Sequence, residues 1–137
     1  MRNVEPIRVL LVEDDPAVQA CVRDFFAGEP RMDLAGIACD GAEGLEAIAE
    51  LAPDLVLLDL IMPRLSGMGL LRALSGRPPE QRPRVLVMSR VNSQEIIGRT
   101  LALGADFYLV KPVSLTELPD LILGLCGEKS REPPAVR

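Results

Sequence analysis

Five short apolar runs punctuate the chain: IRVLLV (7–12), MDLAGIA (32–38), LVLLD (55–59), RVLVMS (84–89) and DFYLV (106–110). IRVLLV is continuous rather than alternating, as expected of a strand covered on both faces of a sheet. Between these runs the apolar period changes from two to that of a helix. After Asp15-Pro16, an N-cap followed by proline at the first helical position, Val18, Cys21, Val22, Phe25 and Phe26 recur at helical spacing until Gly28. Asp40 and Glu43 form a capping box ahead of Ala42, Leu45, Ile48 and Ala49. Ser66-Gly67 opens a short helix with Leu70, Leu71 and Leu74, and 92–104 reads as a helix stopped by Gly104. Ser114 and Glu117 form a further capping box before Leu118, Leu121, Ile122 and Leu125. Pro119 falls several residues into that last helix on this reading, so a kink is expected there. GRPPEQRP (76–83) is a surface connection, and GEKSREPPAVR (127–137) has no apolar period and reads as a linker or free tail, such as would join this domain to another. Strands alternating strictly with helices predict a parallel sheet with right-handed crossovers and helices on both faces.

Composition narrows this further. At 137 residues, 48% of them hydrophobic, the chain is long enough for one domain with its own core. No apolar run approaches the ~20 residues of a membrane span, and Glu5 and Pro6 interrupt the N-terminus where a signal sequence would be apolar. A soluble, cytoplasmic chain with no membrane partner is therefore expected. A net charge of −5 counts against nucleic-acid binding by this domain alone, because a phosphate backbone requires a basic face. Histidine is absent, so any phosphohistidine chemistry must come from a partner. The three cysteines are unclustered, and Cys21 on an apolar helical face and Cys39 at a strand end read as buried thiols rather than metal ligands.

The chemistry lies at the strand ends, because the binding crevice of an open α/β sheet lies beyond the carboxyl ends of its strands. The first strand delivers Glu13 and Asp14, the third Asp59, the fourth Ser89 and the fifth Lys111. Taken singly, each has an ordinary explanation. Asp15 is the helix cap, Glu13 and Asp14 could be solvated acids, Lys111 a surface lysine and Ser89 a loop cap. Together, at one edge, they require five coincidences. Clustered carboxylates repel unless a cation sits among them, and an all-oxygen, open cluster suits Mg²⁺. An Asp neutralised in this way can attack phosphorus and form an aspartyl phosphate, with Lys111 and Ser89 holding phosphoryl oxygens.

VLLVEDD, LVLLDLIMPRLSG, VLVMS and GADFYLVKP stand in the order and spacing of the receiver domain of two-component response regulators, and the chain resembles that family over residues 5–126. The resemblance implies a flavodoxin-like (βα)5 three-layer sandwich with sheet order 2-1-3-4-5. It implies Asp59 as phosphoacceptor, Asp14 as a direct Mg²⁺ ligand, Glu13 as a ligand through water, and the Ile61 carbonyl completing the metal site. It also implies Ser89 and Tyr108 as a switch pair and a cis Lys111-Pro112 peptide. The implied partners are a histidine kinase or histidine phosphotransfer protein, and a second receiver on the face of the fourth helix, fifth strand and fifth helix. GIACDGAEGLEAI, LDLIMPRLSG and LGADFYLVKP look more narrowly like the receiver of a sporulation master transcription factor, which would make transcription the output. In the family the positions of Ile61 and Val91 flank the water that hydrolyses the phosphate. Neither side chain can hydrogen-bond a water, so slow decay is expected. Arg90 departs from the family, where a small residue is usual, and would either hinder access or add a counter-charge. Three rival readings make different demands on these residues. A haloacid-dehalogenase-type phosphatase requires an Asp where Ile61 stands, a flavodoxin-like cofactor protein requires a hydroxyl-rich loop where Glu13-Asp14-Asp15 stand, and a docking module that is not phosphorylated does not require all five site residues.

Overall fold

The computed structural model describes residues 5–126 and 135–136. The strands are β1 (Ile7–Val12), β2 (Met32–Ala38), β3 (Leu55–Leu58), β4 (Arg84–Ser89), β5 (Phe107–Val110) and β6 (Ala135–Val136). The helices are α1 (Pro16–Ala27), α2 (Gly41–Leu51), α3 (Gly67–Ser75), α4 (Gln94–Ala102) and α5 (Leu118–Cys126). All strand pairs are parallel, in the order β2-β1-β3-β4-β5-β6. The first five strands follow the expected order, and β6 adds two residues beside Phe107 and Tyr108.

Alternation along each strand explains the three layers. Leu10, Val12, Val56, Leu58, Val85 and Val87 point to one face and pack with Ile48 of α2, Leu70, Leu71 and Leu74 of α3, and Ile97 of α4. Val9, Leu11, Leu55, Leu57, Leu86 and Leu109 point to the other and meet Val22 and Phe26 of α1 and Leu118 and Ile122 of α5. Leu55 to Leu58 of β3 are all completely buried. Each such side chain contributes about 1.5–3 kcal/mol of burial. The central strand therefore anchors whatever follows it, and Asp59 follows it directly.

The helix starts carry the chemistry read from sequence. Asp15 Oδ1 accepts from Ala17 N–H at 2.9 Å with Pro16 next to it, Ser66 Oγ accepts from Gly69 N–H, and Ser93 Oγ from Ile96 N–H. Asp40 Oδ1 accepts from Glu43 N–H at 2.9 Å, while Glu43 reaches back to Cys39 N–H. Gly104, with φ 115°, sits just past α4, a conformation open to glycine at little cost.

Three expectations are corrected. Pro119 is the second residue of α5, not an interior one, because a 3-10 turn at Leu115–Glu117 precedes the helix. A proline there interrupts no helical hydrogen bond, so the expected kink has no cause. Ser114 makes no backbone cap, its hydroxyl sharing a hydrogen bond with Thr116 instead. Cys21 and Cys39 are exposed. Cys21 lies about 120° round α1 from the buried Val22–Phe26 stripe, and Cys39 follows the end of edge strand β2. The linker or tail expected over 127–137 lies outside the described residues, apart from the two residues of β6.

Candidate functional site

Backbone pairing sets the floor of the site. Asp59 N–H donates to Val12 O at 3.0 Å, Glu13 N–H to Ala38 O at 2.9 Å, and Lys111 N–H to Ser89 O at 2.8 Å. The sheet hydrogen bonding thus runs one residue past the strands and fixes the Cα positions of Asp59, Glu13 and Lys111. Carboxylate oxygens of Glu13, Asp14 and Asp59 lie within 4.8 Å of one another. Glu13 is buried, Asp59 partly buried and Asp14 exposed, which gives a cluster walled by protein on one side and open on the other.

Lys111 Nζ lies 2.8 Å from Glu13 Oε1 and 3.9 Å from Asp59 Oδ2, so it leans to Glu13. Glu13 Oε2 also accepts from Asp15 N–H at 3.2 Å. Burial, helped by the neighbouring Glu13 charge, pushes Asp59 up to about 6, against the opposing pull of Lys111 and Ile61 N–H. A carboxylate so displaced gains from any cation placed beside it. The donor set is three carboxylates with no sulfur or nitrogen, which fits a hard divalent ion.

Ser89 is fully buried at the end of β4, with Oγ accepting from Val91 N–H at 3.2 Å. Tyr108 of β5 is fully buried and its hydroxyl donates to Val91 O at 2.6 Å, so it holds the same loop from the inner side. The Lys111-Pro112 peptide is cis, as the resemblance implies. Ile61 is 64% exposed beside the cluster, and Val91 is half-buried. Arg90 is exposed and lines a mostly apolar groove with Val18, Cys21, Lys111 and Pro112, between α1 and the loop after β5. The five residues read from the strand ends are thus gathered along one edge.

A model of the response regulator receiver domain matches residues 9–123. The chain belongs to the response regulator receiver domain family. This receiver is 36% identical over 117 residues to protein-glutamate methylesterase/protein-glutamine glutaminase 1 of Methanospirillum hungatei, covering 84% of the chain and 34% of that relative. The chain thus spans about a third of the relative's length. Among solved structures it is similar to the signal receiver domain of the response regulator NarL from Mycobacterium tuberculosis, with TM-score 0.83, 30% identity, and 91% of this chain and 99% of that one covered. It is likewise similar to the BeF3-activated N-terminal receiver domain of RstA from Klebsiella pneumoniae, with TM-score 0.73, 30% identity, and coverage of 84% and 94%. No helix among the described residues is long and apolar enough to cross a membrane.

One group near the site escaped sequence reasoning. Arg64 has a left-handed backbone, with φ 65°, and its Nε lies 2.8 Å from Asp40 Oδ2. From sequence Asp40 is only a helix cap. The pairing spans 24 positions, and no local pattern announces it. The one available signal is glycine: a Cβ at Gly41 or at Gly67 would come within 2.4 Å of the backbone oxygen of Leu65 or of Asp59.

Proposed function

We propose that this receiver is a phosphorylation switch, taking a phosphoryl group on Asp59 from a phosphohistidine of a partner kinase or phosphotransfer protein. The observation that carries the reading is the meeting of the Glu13, Asp14 and Asp59 carboxylates with Lys111 at the end of the central strand. Asp14, Asp59, the Ile61 carbonyl and, through water, Glu13 would hold Mg²⁺. When bound, the ion neutralises the carboxylates and the incoming phosphoryl oxygens. An Asp59 carboxylate oxygen attacks phosphorus as the bond from phosphorus to the partner's imidazole nitrogen breaks, and that nitrogen keeps the electron pair. Lys111 turns from Glu13 to donate to a phosphoryl oxygen, and Ser89 donates its hydroxyl to another.

The movement of Ser89 is transmitted to Tyr108 through the loop that both already grip at Val91. The surface of α4, β5 and α5 is the face proposed to change partners, including a second copy of the receiver. The chain is read as a switch that modifies itself once, not as a turnover enzyme. Transcription as the output and sporulation as its setting rest on the sequence words alone, and residues 5–126 are proposed as the functional unit.

Incubation with Mg²⁺ and acetyl phosphate, followed by intact mass, tests this reading. One added phosphoryl group is expected in the wild type and none in Asp59→Asn. A phosphoryl group retained by Asp59→Asn overturns the assignment. If Arg90 hinders the small donor, Arg90→Ala should accept it.

A further inference from the structure

The segment between Asp59 and α3 contains both the proposed phosphoacceptor and the Ile61 carbonyl, and it is fastened to the protein at three points. Gly67 N–H donates to Leu60 O at 3.0 Å, closing the segment on itself. Gly41 N–H, the first of α2, donates to Leu65 O at 2.8 Å. The third fastening is the ion pair of Arg64 with Asp40, whose carboxylate is almost wholly buried while the arginine is mostly exposed. Asp40 is therefore shared. Oδ1 caps α2 through Glu43 N–H and Oδ2 takes Arg64, which also approaches Glu43 Oε2 at 3.9 Å. Both donors hold the Asp40 carboxyl below its usual range, the cap more than the arginine.

The backbone at Arg64 adds a second and independent observation. A φ of 65° is unfavourable for a residue with a Cβ, and such strain persists only where the surroundings fix it. Glycine would sit there freely, yet the chain carries arginine. The side chain is the part that makes the contact across to α2.

We infer that Arg64 and Asp40 are positioning residues for the metal site: their ion pair holds the Leu60–Ser66 segment against α2 and so sets the place of the Ile61 carbonyl relative to Asp14 and Asp59. The inference rests on the reading of that site as a Mg²⁺ site. Neither residue belongs to the set that would hold the ion, and their effect passes along three peptide bonds of backbone, from Arg64 to Ile61. Groups that orient ligands in this indirect way commonly alter metal affinity without being ligands.

Arg64→Gly separates the clamp from the fold, because it removes the side chain while relaxing the left-handed backbone. Asp40→Asn removes the charge and keeps a good N-cap. With the full chain, Mg²⁺ affinity is measured by titration calorimetry and stability by metal-free thermal unfolding. Each variant is expected to bind Mg²⁺ roughly tenfold more weakly. Arg64→Gly should do so with an unfolding temperature equal to or above that of the wild type. The double variant should be no weaker than either single one, because both break one interaction. Wild-type affinity in Arg64→Gly overturns the inference, as do losses that add in the double variant. Asp14→Ala separates the two levels. Binding lost there but intact in both clamp variants removes the clamp alone, whereas binding unchanged in Asp14→Ala, or absent from the wild type, removes the site reading and the clamp with it.

Discussion

β3 and β4 are neighbours in the sheet, and the segments that leave them are fastened in different ways. After β3, residues 60–67 are fixed by backbone contacts too close to admit another atom, together with the ion pairs of Arg64 to Asp40 and Glu43 at the start of α2. After β4, Arg90 and Val91 are tied by two side chains that can rotate: Ser89 Oγ accepts from Val91 N–H and Tyr108 donates to Val91 O. Backbone contacts cannot rearrange without unfolding something, whereas a hydroxyl changes partners by turning one χ angle. The first segment is therefore built as a fixed platform and the second as a moving part. This division matches the proposed roles of metal holding at Ile61 and switching at Ser89.

Removing the platform should have the largest effect. In Gly67→Ala the new Cβ would lie 2.4 Å from Asp59 O and 2.7 Å from Leu60 Cα, with only backbone to give way. We expect a loss of about 3 kcal/mol, read as a lower urea midpoint. A loss under about 1 kcal/mol would show that the platform gives as readily as its neighbour.

A smaller effect comes from the charge that both segments border. With Asp59 displaced from 3.8 to about 6, the folded protein binds more protons than the unfolded chain between those values. Its metal-free stability therefore falls as pH rises from about 4 to 6, the reverse of the trend for a carboxylate with a depressed value. The full displacement is worth about 3 kcal/mol. Solvent screening in an open site reduces that to about 1–2 kcal/mol. Urea titrations across this range should show the fall in the wild type and its absence in Asp59→Asn, and a wild type that gains stability from Asp59 over this window would contradict the account.

The moving part should give the smallest change. Tyr108→Phe removes one hydrogen bond to a half-buried loop at a cost of about 1 kcal/mol. Amide exchange at Val91 should quicken about fivefold, while amides of 60–67 keep wild-type rates. Equal quickening in both segments would abolish the distinction between them.

This comparison also separates what could be read from sequence from what could not. The strands, their partners and the strand-end residues were legible because short uninterrupted apolar runs such as Leu55–Leu58, alternating with helical periods, fit buried strands, and a parallel sheet gathers their ends at one edge. Ser89 and Lys111 followed from that rule alone. The ties within the loops were not legible. Arg64 pairs with Asp40 through a left-handed turn that arginine does not announce, and Asp106, read as the start of a strand, instead caps Val85 N–H at 2.8 Å and pairs with Arg84. The thiols were misjudged because spacing places Cys21 near the apolar arc of α1 without saying how wide that arc is. The covered width depends on how the helix lies on the sheet, and only Val22 and Phe26 are fully covered.

Ile61 stands 64% exposed next but one to Asp59, and Val91, next but one to Ser89, is half-buried. In the proposed reading, water that hydrolyses the aspartyl phosphate passes between two hydrocarbon side chains that cannot aim it. Each 1.4 kcal/mol so withheld from the transition state lengthens the phosphate's life about tenfold. A switch that discharges slowly averages its input, smoothing over donor pulses shorter than its own decay and following only sustained ones. Two apolar side chains would thus make the receiver a low-pass filter, with a cut-off frequency that Ile61→Asn together with Val91→Glu should raise.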